Sequence, residues 1–340
     1  MGETKNGSLR ARLLLILTNL VSVAFLVWTL HDAKLSELKD DLLTMNWWWL
    51  GIAVIADILV YFWHGLRWSL LLRPVEPVTF WQTVRAIYVG LFANEVLPLR
   101  AGEILRCYLI SRWTKLPFSV AISSALIERI FDGIWLCLCL LLTLRFVSFP
   151  GRMHSLVDGA FVLGIVVLAG AALLVLAMFL RQKTRALLSG EGWQRHVRVL
   201  IDDLNLIGHS RYLYFAFLQS LPYLLLQVIP IYAAIQAYGF DLPIGVAFAL
   251  MVILRLGSVV PQGPGNLGFF QILTKEALVI IFGVVPAEAA RFSLVLWGTV
   301  TLPLLVAGFV ALMITGKGLF QLKREAQSEA SELSKRKVEG

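Results

Sequence analysis

Apolar runs of near or above the roughly 20 residues that cross a bilayer recur along the chain, separated by short polar connections. They cover residues 13–30, 47–66, 117–145, 156–180, 212–237 and 291–314. Two further apolar stretches, 78–110 and 243–283, are interrupted: LPLRAGE breaks the first and PQGPGNLG the second. Broken backbone at membrane depth survives only where it is buried in protein or lines a polar cavity. The pattern predicts an all-α, polytopic integral membrane protein of about six full spans plus two interrupted or re-entrant helical hairpins.

Basic residues orient these segments. Lys5, Arg10 and Arg12 precede the first span, Arg67 and Arg73 follow the second, and Arg112 to Lys115 follow the first hairpin, so all three regions are expected on the cytoplasmic side. Residues 31–46, acidic and followed by Trp47, Trp48 and Trp49, face outward. The basic stretch 181–211 is read as a cytoplasmic linker, with Val197, Leu200, Ile201, Leu204 and Ile207 at the spacing of an interfacial amphipathic helix. Counting sides makes the half at 47–145 and the half at 212–314 opposite in orientation, an inverted repeat whose site lies where the two broken elements meet. A membrane domain thus occupies 1–316, and the polar tail 317–340 is expected to be disordered and, like the N-terminus, cytoplasmic.

Composition agrees with this reading. Hydrophobic residues make up 58% of the 340 and charged residues only 15%, with a mean hydropathy of +0.77. The net charge of +8 sits in loops and tails, which favours anionic lipid headgroups over nucleic acid as the partner. Cys107, Cys137 and Cys139 have neither disulfide nor metal spacing. No cofactor or metal is implied. The catalytic motifs HExxH, GxSxG and Walker A are missing, although Glu128 or Asp132 acting as a base leaves a carboxylate-based enzyme open.

The charged residues inside the apolar stretches carry the candidate chemistry. A charge at the bilayer centre costs about 2.5–3.5 kcal/mol on the insertion scale, so it must be paired, cavity-facing or functional. The first interrupted segment holds Asn94, Arg100, Gly102, Glu103 and Arg106, with Glu103 and Arg106 three apart and able to pair on one helical face. Residues 117–145 add Glu128, Arg129 and Asp132, and Arg255 leads into the second break. There Gly263, Gly265 and Gly268 spell GxGxxG without a βαβ context. They are read either as a tight turn or as a helix start whose free N–H groups favour a phosphate. Asp57 and His64 share a face of the second span and are read as packing hydrogen bonders rather than proton carriers.

Asn94 with LPLRAGEILR, then Ile127, Glu128, Arg129 and Asp132, then PQGPGNLGFFQ, resemble the lysylphosphatidylglycerol synthase transmembrane-region family, also called UPF0104 or the flippase-domain family, over about 12–315. The resemblance implies a membrane domain that moves an aminoacylated phospholipid between leaflets of the bacterial inner membrane. It also implies an aminoacyltransferase domain in some members, and since the sequence ends at Gly340 the expectation is transport without lysyl transfer. The expected partner is a phospholipid or lipid-linked substrate, with Arg100 and Arg106 on its phosphate. The alternatives are a transferase using a phospholipid or polyprenyl-phosphate donor and an accessory scaffold of a cell-envelope synthase.

Overall fold

The computed structural model describes residues 20–31, 33–97, 101–147, 150, 157–162, 164–166, 168–169, 211–258 and 263–339. Among them every regular element is helical. In chain order the helices that frame the site are α1 (Leu20–His31), α2 (Leu38–Thr44), α3 (Trp47–Leu72), α4 (Phe80–Val96), α5 (Gly102–Trp113), α6 (Phe118–Phe146) and α7 (Arg211–Leu226). Then follow α8 (Val228–Tyr238), α9 (Ile244–Gly257), α10 (Phe269–Phe282), α11 (Pro286–Thr315) and α12 (Leu319–Glu339). The expected span at 156–180 lies mostly outside the described residues, as does the expected amphipathic helix at 181–211.

Length separates these helices into two kinds. At 1.5 Å per residue, α3 (26 residues), α6 (29 residues), the α7–α8 run (28 residues) and α11 (30 residues) each exceed the roughly 30 Å hydrocarbon core. By the same rise α4, α5, α9 and α10, of 17, 12, 14 and 14 residues, reach only about 18 to 26 Å. None of the four is long enough to cross that thickness alone. The breaks read from the Pro and Gly positions therefore end helices inside the membrane domain.

Local chemistry sets the boundaries. Asn46 caps α3 by accepting from Trp48 N (3.0 Å), and Thr79 opens α4 with a capping box in which Gln82 Oε1 accepts from Thr79 N (3.0 Å). Gly239, Gly283 and Gly316 close α8, α10 and α11 in the left-handed region, where a Cβ would be strained. Apolar burial gathers in two clusters, one formed by α3–α6 with α12 and one by α8–α11 with part of α6.

Two expectations are revised. The second span does not stop near Leu66: α3 continues to Leu72, with Arg67 inside it at 1% exposure, because protein carboxylates rather than water satisfy that guanidinium. Nor is the tail irregular, since α12 docks on α5 by burying Leu319, Leu322 and Ala326. Its Glu325 Oε2 also accepts from Tyr108 Oη (2.8 Å) and from Lys317 Nζ (2.6 Å).

Candidate functional site

The site is built on one face of α3. His64, Arg67 and Trp68 stand at i, i+3 and i+4, and so project together toward α6. There Glu128, 2% exposed, is the hub. Its Oε1 accepts from Arg67 Nε (3.2 Å) and Nη2 (3.1 Å), and its Oε2 from Arg106 Nη1 (2.9 Å). His64 Nε2 lies 3.3 Å from Oε1. One turn on, Asp132 takes Arg67 Nη1 and Nη2, the latter at 3.2 Å, while Ser220 Oγ of α7 accepts a further Arg67 bond at 2.8 Å. Burial of these charges is tolerated because each guanidinium meets two carboxylates, Arg67 those of Glu128 and Asp132 and Arg106 those of Glu103 and Glu128.

The hairpin arm α5 supplies the other side. Arg106, 3% exposed, donates to Glu103 Oε2 (3.1 Å) as the three-residue spacing predicts, and its guanidinium lies 4.6 Å over the Trp68 ring. Arg129 bonds Glu103 and approaches Asp132 at 4.0 Å, but is 46% exposed. The arms α4 and α5 can approach because Gly90 faces Gly102: a Cβ on Gly102 would fall 1.8 Å from Gly90 O. Asn94 Oδ1 accepts from Gly102 N (2.8 Å), satisfying a donor at the start of α5 that otherwise has no helical partner. Asn94 and Gly102 therefore shape the hairpin on which Glu103 and Arg106 are mounted. Arg100, at the tip, lies outside the described residues.

Arg67, Arg106 and Arg129 against Glu103, Glu128 and Asp132 sum to zero formal charge. Arg255 is bonded differently. Its guanidinium donates to Gln227 and to Tyr223 Oη (2.9 Å), both neutral, so its positive charge is not cancelled by its hydrogen-bond partners. It faces a cleft of about 180 Å³ bounded by α3 and α4 on one side and by α8–α11 on the other, with Asp57, Glu95 and Asn266 also on its wall. A smaller space of about 50 Å³, lined by His64, Asn94, Glu103, Arg106 and Arg129, also reaches Arg255. The ion-pair network and the cleft thus share Arg255 and Tyr61 as common boundaries.

The second break forms part of this cleft. Asn266, in the left-handed region that asparagine tolerates, donates from Nδ2 to Glu95 Oε1 (3.0 Å) and ties the second tip to the end of α4. Gly263 N donates to Ser22 Oγ (3.1 Å) and Gly268 N to Gln271 Oε1 (2.7 Å), while Gly265 O accepts from Trp297 (2.8 Å). A Cβ on Gly268 would fall 1.9 Å from Ser22 O, so α1 packs directly on that glycine. The bonded N–H groups of Gly263 and Gly268 therefore serve the turn and its neighbours.

Six of the charged candidates, Glu103, Arg106, Glu128, Arg129, Asp132 and Arg255, come together at the network and cleft. Arg67, His64 and Tyr223 complete the arrangement, with the Arg67 guanidinium 4.6 Å over the Tyr223 ring. The signal that could have found them was the four-residue face His64 to Trp68, which a reading of Arg67 as a topology marker obscured. No cluster with metal-ligand spacing occurs among the described residues.

The model of the family described as "Lysylphosphatidylglycerol synthase TM region" matches residues 14–308. A UPF0104 membrane protein of Methanothermobacter thermautotrophicus is 20% identical over 308 residues, covering 83% of this chain and 89% of that protein. A second from the same organism is 24% identical over 278 residues, covering 74% and 78%. Glycosyltransferase AglD of Haloferax volcanii is 24% identical over 279 residues, 70% of this chain. The chain spans less than half of AglD, 44% of its length.

Proposed function

The chain belongs to the lysylphosphatidylglycerol synthase TM-region family, and from that membership and the cleft we propose that it is a multi-pass lipid transporter of the bacterial inner membrane. Its substrate is an anionic, aminoacylated or lipid-linked phospholipid moved between leaflets, and both termini are cytoplasmic. The observation that carries this reading is Arg255. It is a cation held by neutral groups, on the wall of a largely apolar cleft between two half-membrane hairpins that also carries Asp57, Glu95 and Asn266. A volume of about 180 Å³ falls below the roughly 300–1,000 Å³ of whole-ligand pockets, so it admits a phosphate group while the acyl chains stay in lipid.

In this mechanism Arg255 holds the phosphate through charge-assisted bonds, with Arg106 lining the adjoining space and Glu103 aiming it. Glu128, Arg129 and Asp132 keep the facing helices in register, and Gly263, Gly265 and Gly268 let the second tip come close. Element lengths support a repeat, whose inversion rests on the distribution of basic residues: 26, 17, 12 and 29 residues in the first half against 28, 14, 14 and 30 in the second.

Reconstitution tests the reading. Purified protein in liposomes should exchange a fluorescent phosphatidylglycerol between leaflets without altering it, and Arg255→Gln should reduce the rate about tenfold or more, the loss of one charged hydrogen bond of about 1.5–3 kcal/mol. The similarity to a protein named as a glycosyltransferase favours a second reading, the membrane part of a transferase acting on a polyprenyl-phosphate or phospholipid donor. A new lipid product in the same liposomes would favour it. Neither exchange nor product would leave an accessory role beside a cell-envelope synthase.

A further inference from the structure

Asp57 takes no part in the ion-pair network, yet it is 6% exposed and lies about 15 Å along α3 from Trp47, half the thickness of the hydrocarbon core. It lines the same cleft as Arg255, and its Oδ2 has no hydrogen-bond partner among the described residues. An isolated carboxylate taken out of water needs a cation, a set of donors or a proton. Among the described residues no cation bonds Asp57 directly: Arg255 is turned to Gln227 and Tyr223.

We propose that Asp57 is a proton-binding carboxyl coupled to phosphate occupancy of the cleft: an anionic phosphate group beside Arg255 raises its proton affinity, and departure of that group lowers it. The inference rests on the transport reading only for the phosphate's being carried across the membrane.

Charge carries the argument. In the cleft a charged Asp57 offsets Arg255 and opposes an incoming phosphate. One proton on Asp57 leaves the positive charge of Arg255 for the phosphate, so proton and phosphate favour each other's binding. Glu95 is the weaker candidate, because its Oε1 is already engaged by Asn266. The other titratable neighbours are Tyr61 on α3 itself, Tyr223 on α7 and Tyr88 on α4, whose hydroxyl donates to Ile58 O (3.1 Å). The walls from α10 and α11 are apolar or hydroxylic, with Phe269, Phe270 and Thr301. A proton taken from water on one side and released on the other would make transport respond to a proton gradient.

Infrared difference spectroscopy tests this without requiring transport. The full chain in phosphatidylcholine vesicles is titrated with pH, and a protonated-carboxyl band should appear that Asp57→Asn abolishes and Glu95→Gln retains. Adding phosphatidylglycerol to the vesicles, or inorganic phosphate to the buffer, should move the midpoint upward by about one pH unit, a tenfold gain in proton affinity. A shift with lipid alone identifies a headgroup as the ligand, and a shift with inorganic phosphate alone identifies the free ion. Asp57→Ser replaces the Asn variant if that one does not accumulate. A band that survives loss of Asp57, or a midpoint unmoved by either phosphate source, overturns the proposal. Lipid exchange in the parent should respond to an imposed proton gradient, and in Asp57→Asn it should not. An Asp57 band with a phosphate shift but no exchange of any lipid would uphold the site and overturn the transport reading instead.

Discussion

Glu128 is the residue whose removal the structure makes most consequential. Two buried guanidinium groups, Arg67 and Arg106, depend on its two oxygens. Glu128→Ala leaves Arg67 only Asp132 and Arg106 only Glu103 as carboxylate partners, and should cost about 3–5 kcal/mol, because the network then holds one uncompensated buried charge. Arg129→Ala, at a 46% exposed side chain, should cost no more than about 1 kcal/mol. Thermal unfolding in detergent separates the two, and equal melting temperatures would contradict the hub. Legibility from sequence was uneven at this scale. Glu103 and Arg106 stood out because a charge inside hydrocarbon demands a reason, and their spacing announced the pair. Arg67 did not, because an arginine near the end of an apolar run reads equally as a cytoplasmic marker. Only its partners on α6 and α7, 61 and 153 residues away, distinguish the two.

Among the elements, the hairpin of α4 and α5 turns on a single close approach. Gly102→Ala puts a Cβ 1.8 Å from Gly90 O, a backbone atom that cannot move aside, whereas a Cβ on Gly133 meets nothing within 4 Å. The first change should lower thermal stability and lipid exchange together; Gly133→Ala should leave both near the parental values. Comparable behaviour of the two variants would mean that the arms do not rely on that crossing. Both hairpins were legible from Pro and Gly interrupting apolar runs, since few other residues end a helix so firmly. The helix α12 was not, because its docking stripe is only Leu319, Leu322 and Ala326 in a polar segment. A side-chain bond strengthens that docking: the ammonium of Lys317, then Tyr108 and Gln321, hold the partly buried Glu325 carboxyl down at about 2. A carboxyl held below its ordinary value of about 4.3 contributes fully above that value and loses its contribution as pH falls toward 2. Protection of the amides over 319–332, taken relative to their intrinsic exchange rates, should therefore fall between about pH 4 and pH 2, and Glu325→Gln should remove that pH dependence.

For the whole molecule, the orientation of the halves decides whether the cleft can alternate between sides. The first hairpin is flanked by Arg73 and Lys115 and the second by Asp241 and Gly283, so the expectation from the positive-inside rule is that the first pair of ends is cytoplasmic and the second outside. No arm of either hairpin is long enough to cross alone, so arms that fold back on each other return to the side they entered, and the bond from Asn266 to Glu95 joins the two hairpins inside the domain. If the halves are inverted, opening on one side is the mirror of opening on the other, and one site with Arg255 and Asp57 serves both leaflets. If they are parallel, both hairpins open to the same side and the cleft has a single mouth. Single cysteines at Lys115 and Asp241, exposed positions where a new side chain is not strained, distinguish these in a background lacking Cys107, Cys137 and Cys139. An impermeant thiol reagent should reach Lys115→Cys from the cytoplasmic face only and Asp241→Cys from the outer face only. Reaction of both from one face would leave the cleft without a second exit, and leaflet exchange would then need a motion that these two hairpins do not supply.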